Sequence, residues 1–200
     1  MDYNSLCPVC NKGEGLRPFK WGRYNLIHCI ICELDYCGEM VEKEIGGDSS
    51  PVNLPGIEMM SNVFHRTEEM AMNFSINRKK VYEKLLNRNC DKILEVGCGP
   101  GVFYKPWVKL NVDWTGTDIN PFWKTFGEEN GVPVSNESIS SIQNKFDVVT
   151  AHQVIEHVEE PLAFINSLQS LLRPGGIIHL ELPNQSSLSA RLRKISSKIS

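Results

Sequence analysis

The chain has 200 residues, with 21 Lys and Arg against 24 Asp and Glu and a net charge of −3. Hydrophobic residues make up 41% and charged residues 22%, a balance that excludes extended disorder and a general polyanion binder. No run approaches the roughly 18 consecutive apolar residues of a membrane helix. The start, MDYNSLCPVC, lacks the basic and apolar segments of a secretion signal, so the expectation is a cytoplasmic protein without a membrane span.

Cysteine sets the first element. The chain has seven, an odd number that cannot pair completely, and a reducing setting favours metal or core roles. Cys7 and Cys10 form one Cys-x-x-Cys pair and Cys29 and Cys32 another, with 18 residues between the pairs. A two-residue gap lets both sulfurs of a pair face one ion, and two pairs close a tetrahedron of thiolates. Pro8, Gly13 and Gly15 supply turns around the first pair. Residues 1–45 are therefore expected to be a zinc ribbon with a closed, structural Zn2+ on Cys7, Cys10, Cys29 and Cys32. The plain alternative is four unrelated core cysteines. Cys37, Cys90, Cys98 and His28 are off the ligand spacing and are read as non-ligands.

Residues 46–57, GGDSSPVNLPGI, read as a linker. Residues 58–88 carry Met59, Met60, Val63, Phe64, Phe74, Val81, Leu85 and Leu86 at helical intervals. One or two helices are expected there, so 46–88 form a linker and helical lead-in.

From residue 91 strands and helices alternate. KILEVGC is a strand running into glycines, followed by a helix over 101–110. DWTGTDI is a second strand, and PFWKTFGEEN a helix opening with Pro121. VPVSN and FDVVTAH are the third and fourth strands. PLAFINSLQSLLRPGG is a helix with Pro161 at its start and Gly175 past its end, and GIIHLEL is the fifth strand. SLSARLRKISSKIS reads as a last helix, with Leu188, Leu192, Ile195 and Ile199 on one face. This alternation predicts an α/β fold, a Rossmann-like doubly wound parallel sheet.

The loop after the first strand of this body holds Gly97, Gly99 and Gly101. Ligands of open parallel sheets sit at strand carboxyl ends, and glycines there let backbone approach them. Asp118 ends the second strand, where a carboxylate can accept both ribose hydroxyls. The dinucleotide pattern G-x-G-x-x-G fails because its third glycine would be Val102. Glu95 precedes the loop; it would repel a pyrophosphate and suits an ammonium-bearing cofactor. No G-x-x-x-x-G-K-[ST] run occurs, so a phosphate-cradling loop is excluded.

These residues resemble the S-adenosylmethionine-dependent methyltransferases with the Rossmann-like fold. ILEVGCGPG resembles the first motif of that family and TGTDIN the second. FDVVTAHQVIEHVEEPLAFINSLQSLLRPGGIIHLELPN resembles its stretch from fourth to fifth strand. The resemblance is closest to a subset that shares an EHV…P…LLRPGG…PN pattern and often carries an N-terminal four-cysteine ribbon. The resemblance implies S-adenosylmethionine as cofactor, with Glu95, Gly97, Gly99 and Gly101 along its methionine part. It places Asp118 on the ribose and Ile119 beside the adenine. Asn136, with Glu137 next to it, stands where the family often meets the adenine amine, and Gln153 joins the cofactor set.

A sulfonium methyl is already activated, so holding the acceptor in line supplies much of the acceleration. A base is needed only when the acceptor must lose a proton. The end of the fourth strand offers His152, Glu156 and His157 as the catalytic candidates. If a helix starts at Gln153, His152 and Glu156 lie four apart on one face. His179 is expected to be a packed or edge strand residue and not a catalyst.

The family has seven strands, and five are visible. Once about 90 residues go to ribbon and lead-in, about 110 remain for a fold that usually fills 150 or more. The body over 89–200 is thus expected to be C-terminally truncated, with the fifth strand as an exposed edge open to pairing. The expected partner is a small-molecule acceptor: a sugar, a lipid or quinone precursor, or a secondary metabolite. An RNA acceptor is the alternative, because some RNA-modifying members begin with a zinc ribbon. Residues 1–45 hold five Lys and Arg against seven Asp and Glu, which points away from nucleic acid. Trp21 and Tyr24 beside Lys20 and Arg23 are the local feature in its favour. A further alternative is a non-catalytic zinc-ribbon module on a methyltransferase-like scaffold.

Overall fold

Strands buried on both faces read as near-continuous apolar runs, and KILEV and FDVVTAH at the centre of the larger sheet approach this, interrupted by the buried Glu95, Asp147 and Thr150. The computed structural model describes residues 5–21, 24–37, 62 and 67–183. The expected linker, Met59, Met60, Val63 and Phe64, His65 and the last helix lie outside them, as do the side chains of Trp21 and Tyr24.

The N-terminal element is a three-stranded antiparallel sheet of β1 (Leu16–Trp21), β2 (Tyr24–Cys29) and β3 (Asp35–Cys37). The two cysteine pairs sit in two copies of one turn. Cys7 N donates to Lys12 O and Cys29 N to Leu34 O, each spanning five residues. The residue after each pair, Asn11 and Glu33, takes a positive φ of 55° and 59°.

In the body, α1 (Glu68–Leu86) precedes β4 (Lys92–Val96), α2 (Tyr104–Lys109) and β5 (Asp113–Thr117). Then come α3 (Pro121–Asn130), β6 (Val134–Ser135), β7 (Phe146–His152), α4 (Pro161–Ser170) and β8 (Leu172–Glu181). The sheet order is β6-β5-β4-β7-β8 with every pair parallel. Order reverses between β4 and β7, and the carboxyl ends of these two strands form the crevice where such sheets take ligands.

Sequence signals fix the α3 boundaries. The Asn120 side chain accepts from Phe122 N, Pro121 opens the helix, and Gly131 closes it at φ 68°. One expected boundary moves. Gly175 does not cap α4, which stops at Ser170; it lies at φ 72° inside β8, where pairing with β7 shifts register between Phe146 and Val148. The helix expected over 101–110 is shorter, because Gly101 is spent on the turn before it.

Strand alternation divides the core. Ile93 and Val148 join Trp107, Trp114, Trp123 and Tyr82 under α1, α2 and α3. Leu94, Val96, Val149 and Ala151 join Leu168 under α4 on the other face.

A buried ion cluster closes the amino-terminal end of the sheet. Asp147 is fully buried; it binds the guanidinium groups of Arg88 and Arg173 and accepts from the amides of Asp91 and Lys92. Burial works against its charge, but these four donors outweigh burial and hold its pKa below the ordinary value. The folded value lies below the unfolded one of about 3.9, so the stabilisation is present above about pH 4 and is lost as pH falls through the folded value. Asp147→Ala should lower unfolding free energy by about 3 kcal/mol, the low end for a broken buried pair, because Arg88 and Arg173 are 38% and 40% exposed and can hydrate. Urea denaturation at neutral pH measures this, and the gap between variant and parent should shrink below about pH 4.

Candidate active site

The glycine turn after β4 is built from three left-handed residues: Gly97, Gly99 and Gly101 have φ of 67°, 51° and 68°. Packing demands two of them. A Cβ on Gly97 would lie 2.4 Å from Val154 Cγ2, and one on Gly101 2.6 Å from Val132 Cγ1. These two glycines are therefore required by the protein's own side chains as well as by any ligand above the turn.

Asp118 follows β5 and braces this turn. Its Oδ2 accepts from Gly99 N and its Oδ1 from Asn120 N, both at 2.9 Å. Burial pushes its pKa up, against the two amides that lower it. A carboxylate has about four acceptor positions, so two remain for the hydroxyls of a ribose. Ile119 beside it is 72% exposed. Asn136 and Glu137 are exposed in the loop after β6. Thr117 Oγ1 donates to Glu137 O and Asp118 N to Ser135 O, which ties that loop to the end of β5. Four residues assigned to the ribose and adenine side are thus neighbours along one rim.

Glu95 lies on the α1 side of β4, 5% exposed. Its Oε2 accepts from Trp114 Nε1 at 2.9 Å, and its Oε1 lies 3.6 Å from His152 Nδ1. His152 ends β7. Its Nε2 is buried without a hydrogen-bond partner, 3.7 Å from Glu181 Oε2.

Glu156 and His157 do not join it. In place of a helix from Gln153 there is a single 3-10 turn, Ile155–His157, preceded by Gln153 at φ 56°. Gln153 N donates to Glu181 O, so the chain still follows the sheet edge when it leaves β7. His152 and Glu156 consequently share no helix face. Gln153, Glu156 and His157 are all exposed, on the lip of the crevice rather than its floor.

The structure brings further groups beside His152. His179 and Glu181 of β8 stand beside His152, with His152–His179 ring centroids 5.3 Å apart. Tyr82 of α1 hydrogen-bonds His179 Nδ1 at 2.5 Å, and Arg78 binds Glu181 at 2.7 Å. Phe103 packs edge-on to His152 and under Arg78. Burial, then His152 and Arg78, lower the His179 pKa. His179, expected as a packed or edge residue, is half-buried on β8 at the end of the described sheet. The available signal was register: with His152 opposite Glu181, residues 179 and 181 share its face.

In the ribbon, Cys7 and Cys32 Sγ lie 3.6 Å apart, as do Cys10 and Cys29 Sγ. Thiolates around one zinc at about 2.3 Å stand about 3.8 Å apart, so the four cysteines fit a tetrahedral ion. All four are unbridged, and their sulfurs lie within 4.8 Å of one another. Cys90 and Cys98 are buried in the body, where burial pushes both thiols up.

Residues 65–197 match the family model described as a methyltransferase domain. The chain belongs to that family. Among relatives, it is 30% identical over 168 residues to a ubiquinone biosynthesis O-methyltransferase of Cereibacter sphaeroides, covering 78% of this chain and 54% of that protein. It is 33% identical over 109 residues to a protein of the same name from a Methylobacterium species, covering 50% of this chain and 44% of that one. The chain thus spans about half the length of these relatives. The plantazolicin methyltransferase BpumL in complex with SAH superposes with a TM-score of 0.58 at 18% identity, over 72% of this chain and 59% of that one. The sugar N-methyltransferase KedS8 from Streptoalloteichus gives 0.52 at 16%, over 63% and 53%. Among the described residues no helix is long and apolar enough to cross a membrane.

Proposed function

We propose that this protein transfers a methyl group from S-adenosylmethionine to a small-molecule acceptor, and that its N-terminal ribbon holds a structural Zn2+. The observation that carries the first part is the bond between Asp118 and Gly99 N, which fixes a carboxylate with spare acceptor positions against the glycine turn at the switch point. Glu95, Gly97, Gly99 and Gly101 serve the methionine part of the cofactor. Asp118 takes the ribose, with Ile119 and Asn136 along the adenine and Gln153 at the margin. The names of the relatives, a quinone-pathway O-methyltransferase and a sugar N-methyltransferase, support a small acceptor.

When bound, S-adenosylmethionine supplies the activated methyl. The chain's task is to hold the acceptor in line and to deal with its proton. His152 does this, from the floor of the crevice beside Glu95 and Glu181. Glu156 and His157 line the entrance. His152→Ala should cut turnover by at least about 100-fold, the usual scale of a positioned proton-handling group. Its S-adenosylmethionine affinity should stay within about threefold of the parent. His157→Ala should cost less than about tenfold in turnover. Steady-state turnover with labelled cofactor, alongside calorimetric cofactor binding, separates these outcomes. Equal turnover in His152→Ala and the parent would remove His152 from the acceptor site.

A further inference from the structure

We propose that His152, His179 and Glu181 form a second cation site, distinct from the ribbon, for a divalent first-row metal such as Zn2+. Strand register makes the set. β7 and β8 are parallel with His152 opposite Glu181 and Thr150 opposite His179. Register partners and residues two apart share a face, so all three side chains leave the same side of the sheet. One ligand atom from each lies within 4.8 Å of the others. Two imidazoles and a carboxylate are a donor set for zinc-like cations, and three protein ligands leave a position open.

The distances favour an ion over direct hydrogen bonds. His152 Nε2 and Glu181 Oε2 are 3.7 Å apart, too far for a hydrogen bond. Two donors on one ion at about 2.0–2.1 Å in tetrahedral geometry stand about 3.4 Å apart. His152 Nε2 is also buried and has no hydrogen-bond partner, a costly state for a polar atom unless something fills it.

The outer partners match those of a metal site. A ligating histidine usually gives its other nitrogen to an oxygen, which fixes the tautomer. Tyr82 Oη holds His179 Nδ1, leaving Nε2 to ligate. Glu95 Oε1 faces His152 Nδ1. Arg78 binds Glu181 through one lone pair of Oε2 at 2.7 Å, leaving the second lone pair of that oxygen, which faces His152 Nε2, for the ion. Two carboxylates, Glu95 and Glu181, offset the charge of a divalent cation beside Arg78.

The consequence for substrate rests on the methyltransferase reading. An ion with an open position here would bind the hydroxyl oxygen of an acceptor and ease loss of its proton to solvent, so that His152 would deal with that proton through the ion it ligates and not as a free base. That oxygen then bonds to the methyl carbon as the carbon–sulfur bond breaks, its electron pair returning to sulfur. The acceptor class is therefore a compound that offers a hydroxyl, methylated on oxygen.

The test is calorimetric titration of Zn2+ into the full chain whose ribbon is already zinc-loaded. One further equivalent is expected. His179→Ala and Glu181→Gln should each weaken it at least tenfold, and Tyr82→Phe by about tenfold through the outer bond. Ribbon zinc, measured as metal retained per chain, should be unchanged in all three. No further equivalent, or the same one in both His179→Ala and Glu181→Gln, overturns the site. S-adenosylmethionine binding is measured on the same samples. A further equivalent without cofactor binding supports the cation site and sinks the methyltransferase reading. Cofactor binding without a further equivalent overturns the cation site alone.

Discussion

Asp118→Ala should weaken S-adenosylmethionine binding by at least about 100-fold, because two hydrogen bonds to a charged carboxylate contribute about 3 kcal/mol or more together. The loss has two sources. The ribose hydroxyls lose their acceptor, and Gly99 N and Asn120 N lose the oxygens that hold them. Asp118→Asn separates these: its amide oxygen can keep one backbone bond, so it should fall between alanine and the parent. Equilibrium dialysis with labelled cofactor reads both. An Asp118→Ala affinity within threefold of the parent would overturn the placement of the ribose.

Removing zinc should have a still larger local effect. The described part of the ribbon has a three-stranded sheet whose buried residues include Cys7, Ile27 and Cys29. That is too small a core to hold without a staple. Structural zinc supplies about 10–16 kcal/mol of apparent binding free energy in comparable small domains at neutral pH. Chelation, or Cys29→Ser, should therefore unfold residues 5–37 while the body stays folded. Amide exchange should show the β1–β2 ladder losing protection and β4 and β7 keeping theirs. A ribbon that keeps its protection without metal would return the four cysteines to an ordinary core.

Much of this was legible in the sequence because its signals are local. The two Cys-x-x-Cys pairs predict a turn each, and the two turns are alike down to the positive φ at Asn11 and Glu33. KILEVGC, DWTGTDI and FDVVTAH read as strands, and Glu95, Asp118 and His152 stand at or beside the carboxyl ends of β4, β5 and β7, toward the crevice. What was not legible depends on distant partners. A helix starting at Gln153 would put His152 and Glu156 on one face, yet Gln153 turns left-handed and its amide goes to Glu181 O on the next strand. No spacing rule within VIEH reports that bond. Likewise Tyr82 and His179 are 97 residues apart, and only the packing of α1 against β8 brings them together. Gly175 misled for the opposite reason: glycine after a helix is a sound cap signal, but here the left-handed residue serves an irregular strand.

Trp114 gives the crevice an optical property. Its indole N–H is held by Glu95, and its ring fills the space that a side chain at Gly116 would need, with a Cβ there only 2.0 Å from Cη2. The ring also lies against the position a Cβ on Gly101 would take, at 3.3 Å. One fluorophore therefore touches the acid before the glycine turn, the turn itself and Gly116 of its own strand. Any change in the field at Glu95 acts directly on the indole dipole. The difference in emission between the parent and Trp114→Phe isolates this ring from the chain's other three tryptophans, and makes the filling of the crevice visible without label or substrate turnover.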